Sequence, residues 1–202
     1  LNLMGPDTAR SIGQAYSDIC SKFPFLAGNI GRANCSRLGS STYGQCLMST
    51  GAIDFNTKYY GRGNEASFAA SFSNCISTQF HPQGVMSKGA AYAVASHELG
   101  HAIEGRLEKL MKAAGVDTTE KRKKRYFISG RVKDKVLSNL SLVDDRSVIK
   151  AELSEYAAMD SAEFFAEAVS EYLCSRSPRP VAAEVGKILE RFLKNDFSDL
   201  GI

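Results

Sequence analysis

The chain has 202 residues, of which 44% are hydrophobic, enough for one sizeable core within the usual size of a single domain. Its 25 basic and 22 acidic residues leave a formal charge of only +3, which argues against nucleic acid or an anionic membrane as the main partner. No stretch approaches the roughly 18 to 20 consecutive apolar residues of a membrane span, so we expect a soluble domain without a membrane partner.

The chain starts with Leu rather than Met, and LNLMGPDTAR lacks the charged-then-apolar layout of a signal peptide. We therefore expect a processed product or a piece of a larger parent protein. Its compartment is left open, and a secreted protein, a delivered effector and a phage-associated protein are the alternatives. The five cysteines contain no CxxC pair, so neither a zinc ribbon nor a disulfide scaffold is predicted. We expect buried or free thiols, with one disulfide among the first four as the alternative.

The predicted elements begin with a helix from Pro6 to Phe23, where apolar residues recur at three- and four-residue steps behind a Pro-Asp start. The segment from Gly28 to Thr57 is rich in Gly, Ser and Asn and contains short apolar runs, which predicts strands joined by turns. The following FAASFSNCISTQF is ambiguous between helix and strand. Good helix formers from Ser87 to Ala114, with Gly115 at the position of a C-terminal cap, predict a long helix.

Residues 116 to 150 are polar and predict one or two connecting helices. We interpret the basic run EKRKKR in this segment as a solvated face, with a nucleic-acid patch as the alternative. A second strong helix, SAEFFAEAVSEYLCS, and an amphipathic helix from about Arg179 to Asn195 follow. The prediction is a single α+β domain over residues 1–202, made of a helix and a sheet-forming part at 1–86, the long helix at 87–115, a polar helical insertion at 116–150, and two last helices at 151–202.

Two of the three histidines lie four residues apart in AVASHELGHAIEG, with a glutamate between them. On a helix, His97 and His101 stack on one face and can bind one cation. Zn²⁺ is the expected ion, because it accepts neutral imidazole and keeps a coordination position for water in catalytic sites. Glu98 projects to the side of that point, where a carboxylate can take a proton from the water that attacks a carbonyl.

An ordinary amphipathic helix that binds nothing is the alternative for this motif. The residues around the motif are nevertheless small or apolar: Ala93, Val94, Ala95, Leu99, Gly100, Ala102 and Ile103. The imidazoles are therefore not expected on a simple solvated face, and a buried histidine pair without a metal would need other polar partners.

A catalytic zinc site usually takes three protein ligands and a water, so a third ligand must lie elsewhere. The metzincin extension HExxHxxGxxH is absent, since Glu104 and Leu107 stand at its Gly and His positions. Glu104 shares the helical face of His97 but lies about 10 Å along the axis. We therefore expect Glu104 at the surface or hydrogen-bonded to a ligand, and not as a ligand itself.

The predicted helix SAEFFAEAVSEYLCS carries Glu163, Glu167 and Glu171 at every fourth position. Like charges in one row oppose each other, so a positive group should face them. We predict Glu163 as the third zinc ligand, Glu167 as the acceptor of a ligating histidine's N–H, and Glu171 in solvent. The alternative for Glu163 is a capping box with Asp160.

HELGH followed by YAAMDSAEFFAEA resembles the gluzincin metallopeptidases, and specifically the catalytic domain of anthrax lethal factor and its relatives. These relatives include Pro-Pro endopeptidases and zincin-like domains attached to phage head-morphogenesis and toxin proteins. The resemblance covers residues 88 to 109 and 153 to 176, and it implies a zincin-like α+β fold. In that family a tyrosine seven residues before the glutamate ligand stabilises the tetrahedral intermediate, and Tyr156 stands at the matching position.

A phenol is also a chemically sensible donor to a developing oxyanion, although an ordinary half-buried tyrosine is the alternative for Tyr156. By position, the resemblance implies the zinc ligands His97, His101 and Glu163, the general base Glu98, the oxyanion stabiliser Tyr156, and the ligand's hydrogen-bond partner Glu167.

The expected function is therefore that of a monomeric zinc-dependent endopeptidase whose partner is a protein or peptide substrate bound as an extended strand. STGAIDFNTKYY resembles the family's edge strand, which can pair with such a peptide. We expect His81, in FHPQG, to be a pocket residue rather than a ligand, and the insertion at 116–150 to shape substrate access. The alternatives are a structural or interaction module with a structural zinc, as in a phage virion or toxin-delivery component, and a nucleic-acid binder that uses EKRKKR.

Overall fold

The structure is a computed structural model that describes residues 3–26, 30–118, 127–194 and 196–198. The described residues form a mixed α+β fold that is mostly helical and has one three-stranded sheet, so the predicted α+β class is confirmed. The basic run EKRKKR and the alternatives attached to it lie outside the described residues. Within the described ranges, no helix is both long enough and apolar enough to cross a lipid bilayer.

The predicted N-terminal helix is present as α1, Pro6–Lys22, with proline in its first turn and Asp7 near its positive end. Its apolar stripe buries Ile12, Ala15 and Ile19 against the core. The strands predicted after it are also present: β1 is Ala33–Ser36, β2 is Gly44–Leu47 and β3 is Ala52–Asn56.

The sheet has the order β1-β3-β2, with β1 parallel and β2 antiparallel to β3. The prediction that STGAIDFNTKYY is the edge strand is wrong, because β3 is paired on both sides and β2 is at an edge. The N–H of Asn56 donates to the carbonyl of Tyr43 at 2.9 Å, and Gly44 lies opposite Phe55. By antiparallel alternation, the main-chain groups of Gly44 and Cys46 therefore point away from β3.

The ambiguous FAASFSNCISTQF is helical over most of its length. It lies in α3, Glu65–Ser77, which follows the short α2, Thr57–Tyr60. Phe68 and Phe72 are four residues apart and are both buried, which is the helical rather than the strand spacing.

The long predicted helix is α4, Ala90–Ala113, and its predicted cap is confirmed because Gly115 has a φ of 81°. The helix begins at Ala90 rather than Ser87 because Gln83–Lys88 forms 3-10 turns before it.

Four further helices complete the described chain: α5 is Phe127–Asn139, α6 is Arg146–Glu152, α7 is Ser161–Cys174 and α8 is Pro180–Phe192. Helices α4 and α7 pack extensively against each other, and α1 packs on α4 while α5 and α8 pack on α7. The core is centred on this helix pair, with fully buried Leu99, Ile103, Phe164 and Phe165. All five cysteines are free thiols, so the disulfide alternative is not realised.

The described part of the segment at 116–150 does not border the site. Helix α5 packs against α7 and α8 and buries Phe127, Ile128, Val132 and Val136 in the core. The apolar face of α5 packs behind the α4–α7 pair, and a role of this segment in substrate access stays a prediction.

Candidate metal centre

Helix α4 carries the two motif histidines on one face, with ring centroids 5.0 Å apart. Helix α7 crosses them so closely that a Cβ on Gly100 would lie 2.8 Å from Cα of Ala166. Gly100 lies between the histidines in sequence, and Ala166 lies between Glu163 and Glu167. The absence of a side chain at Gly100 therefore lets α7 bring its carboxylates up to the imidazoles.

His97, His101 and Glu163 together offer three ligand atoms that all lie within 4.8 Å of one another. Oε2 of Glu163 is 3.2 Å from Nε2 of His97 and 3.4 Å from Nε2 of His101. This oxygen is buried and has no hydrogen-bond partner among the described residues. Two imidazole nitrogens and a carboxylate oxygen that converge without a hydrogen bond are a donor set that fits a divalent cation, and their N₂O composition suits zinc.

Glu167 contacts His97 at Nδ1, the ring nitrogen that does not face Glu163. It is 1% exposed, and its Oε1 lies 2.7 Å from Nδ1 of His97. Its Oε2 accepts a hydrogen bond from the hydroxyl of Ser154 at 2.9 Å. When Nδ1 of His97 donates to this carboxylate, the Nε2 lone pair faces Glu163 and is ready to bind a metal.

The titration behaviour follows from burial and charge. Burial alone would raise the pKa of Glu167, but the hydrogen bonds and charges of His81 and His97 outweigh it and lower that pKa to about 2. Burial is likewise outweighed at Glu163, whose pKa is lowered by His101 and His97. Burial would lower the pKa of His97, but the adjacent carboxylates raise it well above its usual value. Both carboxylates are therefore anionic and attract positive charge into the cluster.

Glu98 lies beside the cluster, against the edge strand β2. It is 5% exposed, and it accepts a hydrogen bond from the main-chain N–H of Cys46. Burial raises the pKa of Glu98, and the neighbouring histidines partly oppose this shift. Gly44 touches the same side chain, since a Cβ there would lie 2.9 Å from Oε1 of Glu98.

Tyr156 approaches the cluster from the loop that precedes α7. Its hydroxyl donates to Oε1 of Glu163 at 3.2 Å, and its ring stacks on His97 with centroids 5.7 Å apart. The loop is fixed by the N–H of Tyr156, which donates to the carbonyl of Phe80. Burial raises the pKa of Tyr156, as do the charges of Glu163, Glu167 and Glu98, so the phenol keeps its proton.

A cavity of about 660 Å³ borders His97, Glu98 and Tyr156. Its wall also includes Gly44 at the start of β2. The remainder of the wall is largely aromatic and hydroxyl-bearing, with Tyr43, Tyr59, Phe72 and Phe80 among its residues. The candidate base and the phenol thus face a space large enough to hold part of a peptide.

Two expectations for glutamates are wrong. Glu171 was expected in solvent but is 1% exposed, because Arg179 pairs with its carboxylate at 2.7 Å. Glu104 is 1% exposed instead of lying at the surface, and its Oε1 accepts the N–H of Ser129 at 3.0 Å. No ligand contact of Glu104 is found among the described residues, and it does not belong to the three-residue cluster.

Only one of the two hydrogen bonds of the capping box considered for Glu163 is formed. Oδ1 of Asp160 accepts the N–H of Glu163 at 2.9 Å and so caps α7. The carboxylate of Glu163 does not return to the cap but contacts Tyr156 and the two histidines. The N-cap therefore fixes the start of the helix and leaves the side chain available to the cluster.

Sequence reasoning missed Ser154, Gly44 and Cys46 as site residues. Ser154 lies two residues before Tyr156, within the range 153 to 176 that the resemblance covers, so its position was a usable signal. Gly44 and Cys46 reach Glu98 only through the fold of the sheet onto α4, and no local pattern marks them.

Comparisons with known proteins do not add to this geometry. Neither protein-family models, nor curated proteins, nor solved structures give a significant match to this chain.

Proposed function

We propose that this protein is a zinc-dependent endopeptidase with a zincin-like domain. The observation that carries the proposal is the convergence of the buried Oε2 of Glu163 on Nε2 of both His97 and His101, at 3.2 and 3.4 Å. His97, His101 and Glu163 would hold the ion, and Glu167 would orient His97. A zinc ion held there supplies Lewis acidity to the scissile carbonyl and to the attacking water.

The chain's own residues then perform the proton transfers. Glu98 takes a proton from the attacking water and delivers it to the leaving amine. Its raised pKa suits the first step, because a carboxylate of higher pKa accepts a proton more readily. Tyr156 exchanges its hydrogen bond to Glu163 for one to the oxyanion of the tetrahedral intermediate. A zinc that only stabilised a fold would need neither group beside a cavity.

The proposed substrate is a protein or peptide segment bound as an extended strand along β2. The outward main-chain groups of Gly44 support this mode, since an edge strand can pair with an incoming strand. Gly44 also lies on the cavity wall with Glu98, so a strand paired there would cross the base.

The likeness of HELGH and YAAMDSAEFFAEA to the lethal factor family supports the same proposal. Under it, the chain acts as a monomeric domain of a larger secreted, delivered or phage-associated protein.

The test combines metal content with peptide cleavage. Purified protein should contain about one zinc per chain, and a random-peptide library should be cut at defined positions with zinc and left intact with a chelator. Glu98→Gln is the matched control, because it keeps the three ligand residues. Failure to bind zinc would overturn the proposal, and stoichiometric zinc without cleavage would favour a structural metal site.

A further inference from the structure

The third histidine, His81, lies in the site but has no role in the mechanism above. It is 9% exposed and lines the cavity together with His97, Glu98 and Tyr156. The two residues that precede it are hydrogen-bonded to the loop before α7, since the N–H groups of Glu155 and Tyr156 donate to the carbonyls of Gln79 and Phe80. The side chain therefore enters the site from a rigid support.

The Nδ1 side and one face of the His81 ring are in contact with other side chains. Its Nδ1 lies 3.1 Å from Oε1 and 3.2 Å from Oε2 of Glu167. Phe72 stacks on the ring face with centroids 5.1 Å apart and an interplanar angle of 26°. With the carboxylate ionised and acceptor-only, Nδ1 is the donor in this contact, and the ring cannot turn without losing both interactions.

The other ring nitrogen is available. Among the described residues, Nε2 of His81 has no hydrogen-bond partner. In the tautomer whose Nδ1 carries the proton, Nε2 is an acceptor. Tyr156 lies beside the same ring, with centroids 5.5 Å apart, so an acceptor at this point is next to the place where the scissile bond would lie.

We propose that His81 is a substrate-binding residue, whose Nε2 accepts a hydrogen bond from a main-chain N–H of the bound peptide next to the scissile bond. This inference rests on the proposed peptidase function and extends it. Glu167 would then fix two imidazoles by the same Nδ1 contact, with one Nε2 directed at the metal and the other at the substrate.

Two substitutions distinguish a residue that binds substrate from one that only positions His97 through its contact with Glu167. His81→Asn keeps a donor near the position of Nδ1 and removes the acceptor at Nε2. His81→Gln keeps a polar atom near the position of Nε2 and removes the Nδ1 contact. A residue that only positions Glu167 and His97 would tolerate Asn better than Gln, and its loss would weaken zinc binding. A substrate-binding residue would show the opposite order, with zinc affinity kept in the Gln variant as well.

The experiment uses a cleaved peptide and a set of ester analogues, in which each amide N–H near the scissile bond is replaced by oxygen in turn. The scissile amide itself is kept. For the unsubstituted protein, we expect one ester to lower kcat/KM by about tenfold, which corresponds to one hydrogen bond. His81→Asn should lose about tenfold on the amide peptide and lose nothing further on that ester. Peptide Kd values measured by calorimetry with Glu98→Gln protein should give the same ratios without turnover.

Zinc affinity is measured for every variant and should be unchanged in His81→Asn. Equal ester sensitivity of the unsubstituted protein and His81→Asn would overturn the inference while leaving the peptidase intact. Absence of any cleavage by the zinc-loaded protein would overturn the proposed function and this inference with it. If His81→Asn does not fold, His81→Gln should keep the ester sensitivity and His81→Phe should abolish it, and the reverse result would reject the contact.

Discussion

Gly100 and Ala166 bring the backbones of α4 and α7 into contact, since a Cβ on Gly100 would lie 2.8 Å from Cα of Ala166 and 3.3 Å from its Cβ. This contact lies at the centre of the candidate site, because each residue is flanked by two of the groups that build it. The separation of the two helices therefore sets the distance between the imidazoles and Glu163.

Gly100→Ala should force the helices apart. We expect a loss of about 1–3 kcal/mol in the free energy of unfolding, as for other overpacked cores, and about tenfold weaker zinc binding. Urea unfolding and zinc competition measure the two effects. Gly13→Ala is the matched control, since a Cβ there meets nothing within 4 Å and should stabilise α1 by about 0.5–1 kcal/mol. Unchanged zinc affinity in Gly100→Ala would contradict the proposed role of this contact.

Glu98→Gln and His97→Ala should separate chemistry from metal binding. Removal of a general base costs about 10²–10⁴ in rate, so Glu98→Gln should retain zinc and fold but lose turnover to this extent. His97→Ala removes a ligand and should lose the metal. Zinc content, circular dichroism and peptide cleavage are measured on both. Normal cleavage by pure Glu98→Gln protein would exclude the role assigned to this carboxylate.

Gly44→Ala should displace the carboxylate of Glu98, the proposed general base, without affecting the proposed zinc ligands. A Cβ there would lie 2.9 Å from Oε1 and 3.0 Å from Cγ of Glu98, so the carboxylate must move. A displacement of about 1 Å costs about a hundredfold in turnover, whereas zinc affinity should be unchanged. Gly39→Ala in the segment between β1 and β2 is the control, since its Cβ would meet only Thr42 at 3.5 Å. The two variants should differ in kcat, and equal kcat values would refute the steric explanation.

Glu104 should make stability fall as pH rises. Burial raises the pKa of Glu104 to about 7, although hydrogen bonds from Ser129 oppose the shift. In the unfolded chain Glu104 has a pKa of about 4.5, so it ionises at a lower pH than in the native state. The free energy of unfolding therefore falls from about pH 4.5 to about pH 7 and levels off above that. Glu104→Gln removes this penalty and should gain up to about 3 kcal/mol over the unsubstituted protein at pH 8 and almost nothing at pH 4.

Glu184→Gln is the control for this pH series, because its effect on the free energy of unfolding should have the opposite sign. Burial of Glu184 is outweighed by hydrogen bonds from Asn139 and Lys187, which lower its pKa. Its contribution to stability is present above the unfolded pKa and is lost as pH falls through the folded pKa. Glu184→Gln should therefore lose stability at pH 8. A Glu104→Gln gain that is equal at pH 4 and pH 8 would show that ionisation is not its cause.

Several features could be predicted because they depend on residues close together in the chain. The four-residue spacing of His97 and His101 puts both rings on one helical face, whatever packs against it. The helix stop at Gly115 and the cap of α7 by Asp160 are equally local. The repeat of Glu163 and Glu167 also predicted that a positive group should face that side of α7, because like charges in a row need compensation, and the structure places His97 and His101 there.

The remaining features were decided by packing between distant segments. Glu171 continues the same row of charges, but Arg179 of the following segment meets it and keeps it from solvent. β3 is central only because β1 pairs with its second edge. His81 meets Glu167 across 86 positions of sequence. Helix periodicity determines which side chains share a face, since it is set by neighbouring backbone groups, whereas only the tertiary structure determines what that face meets.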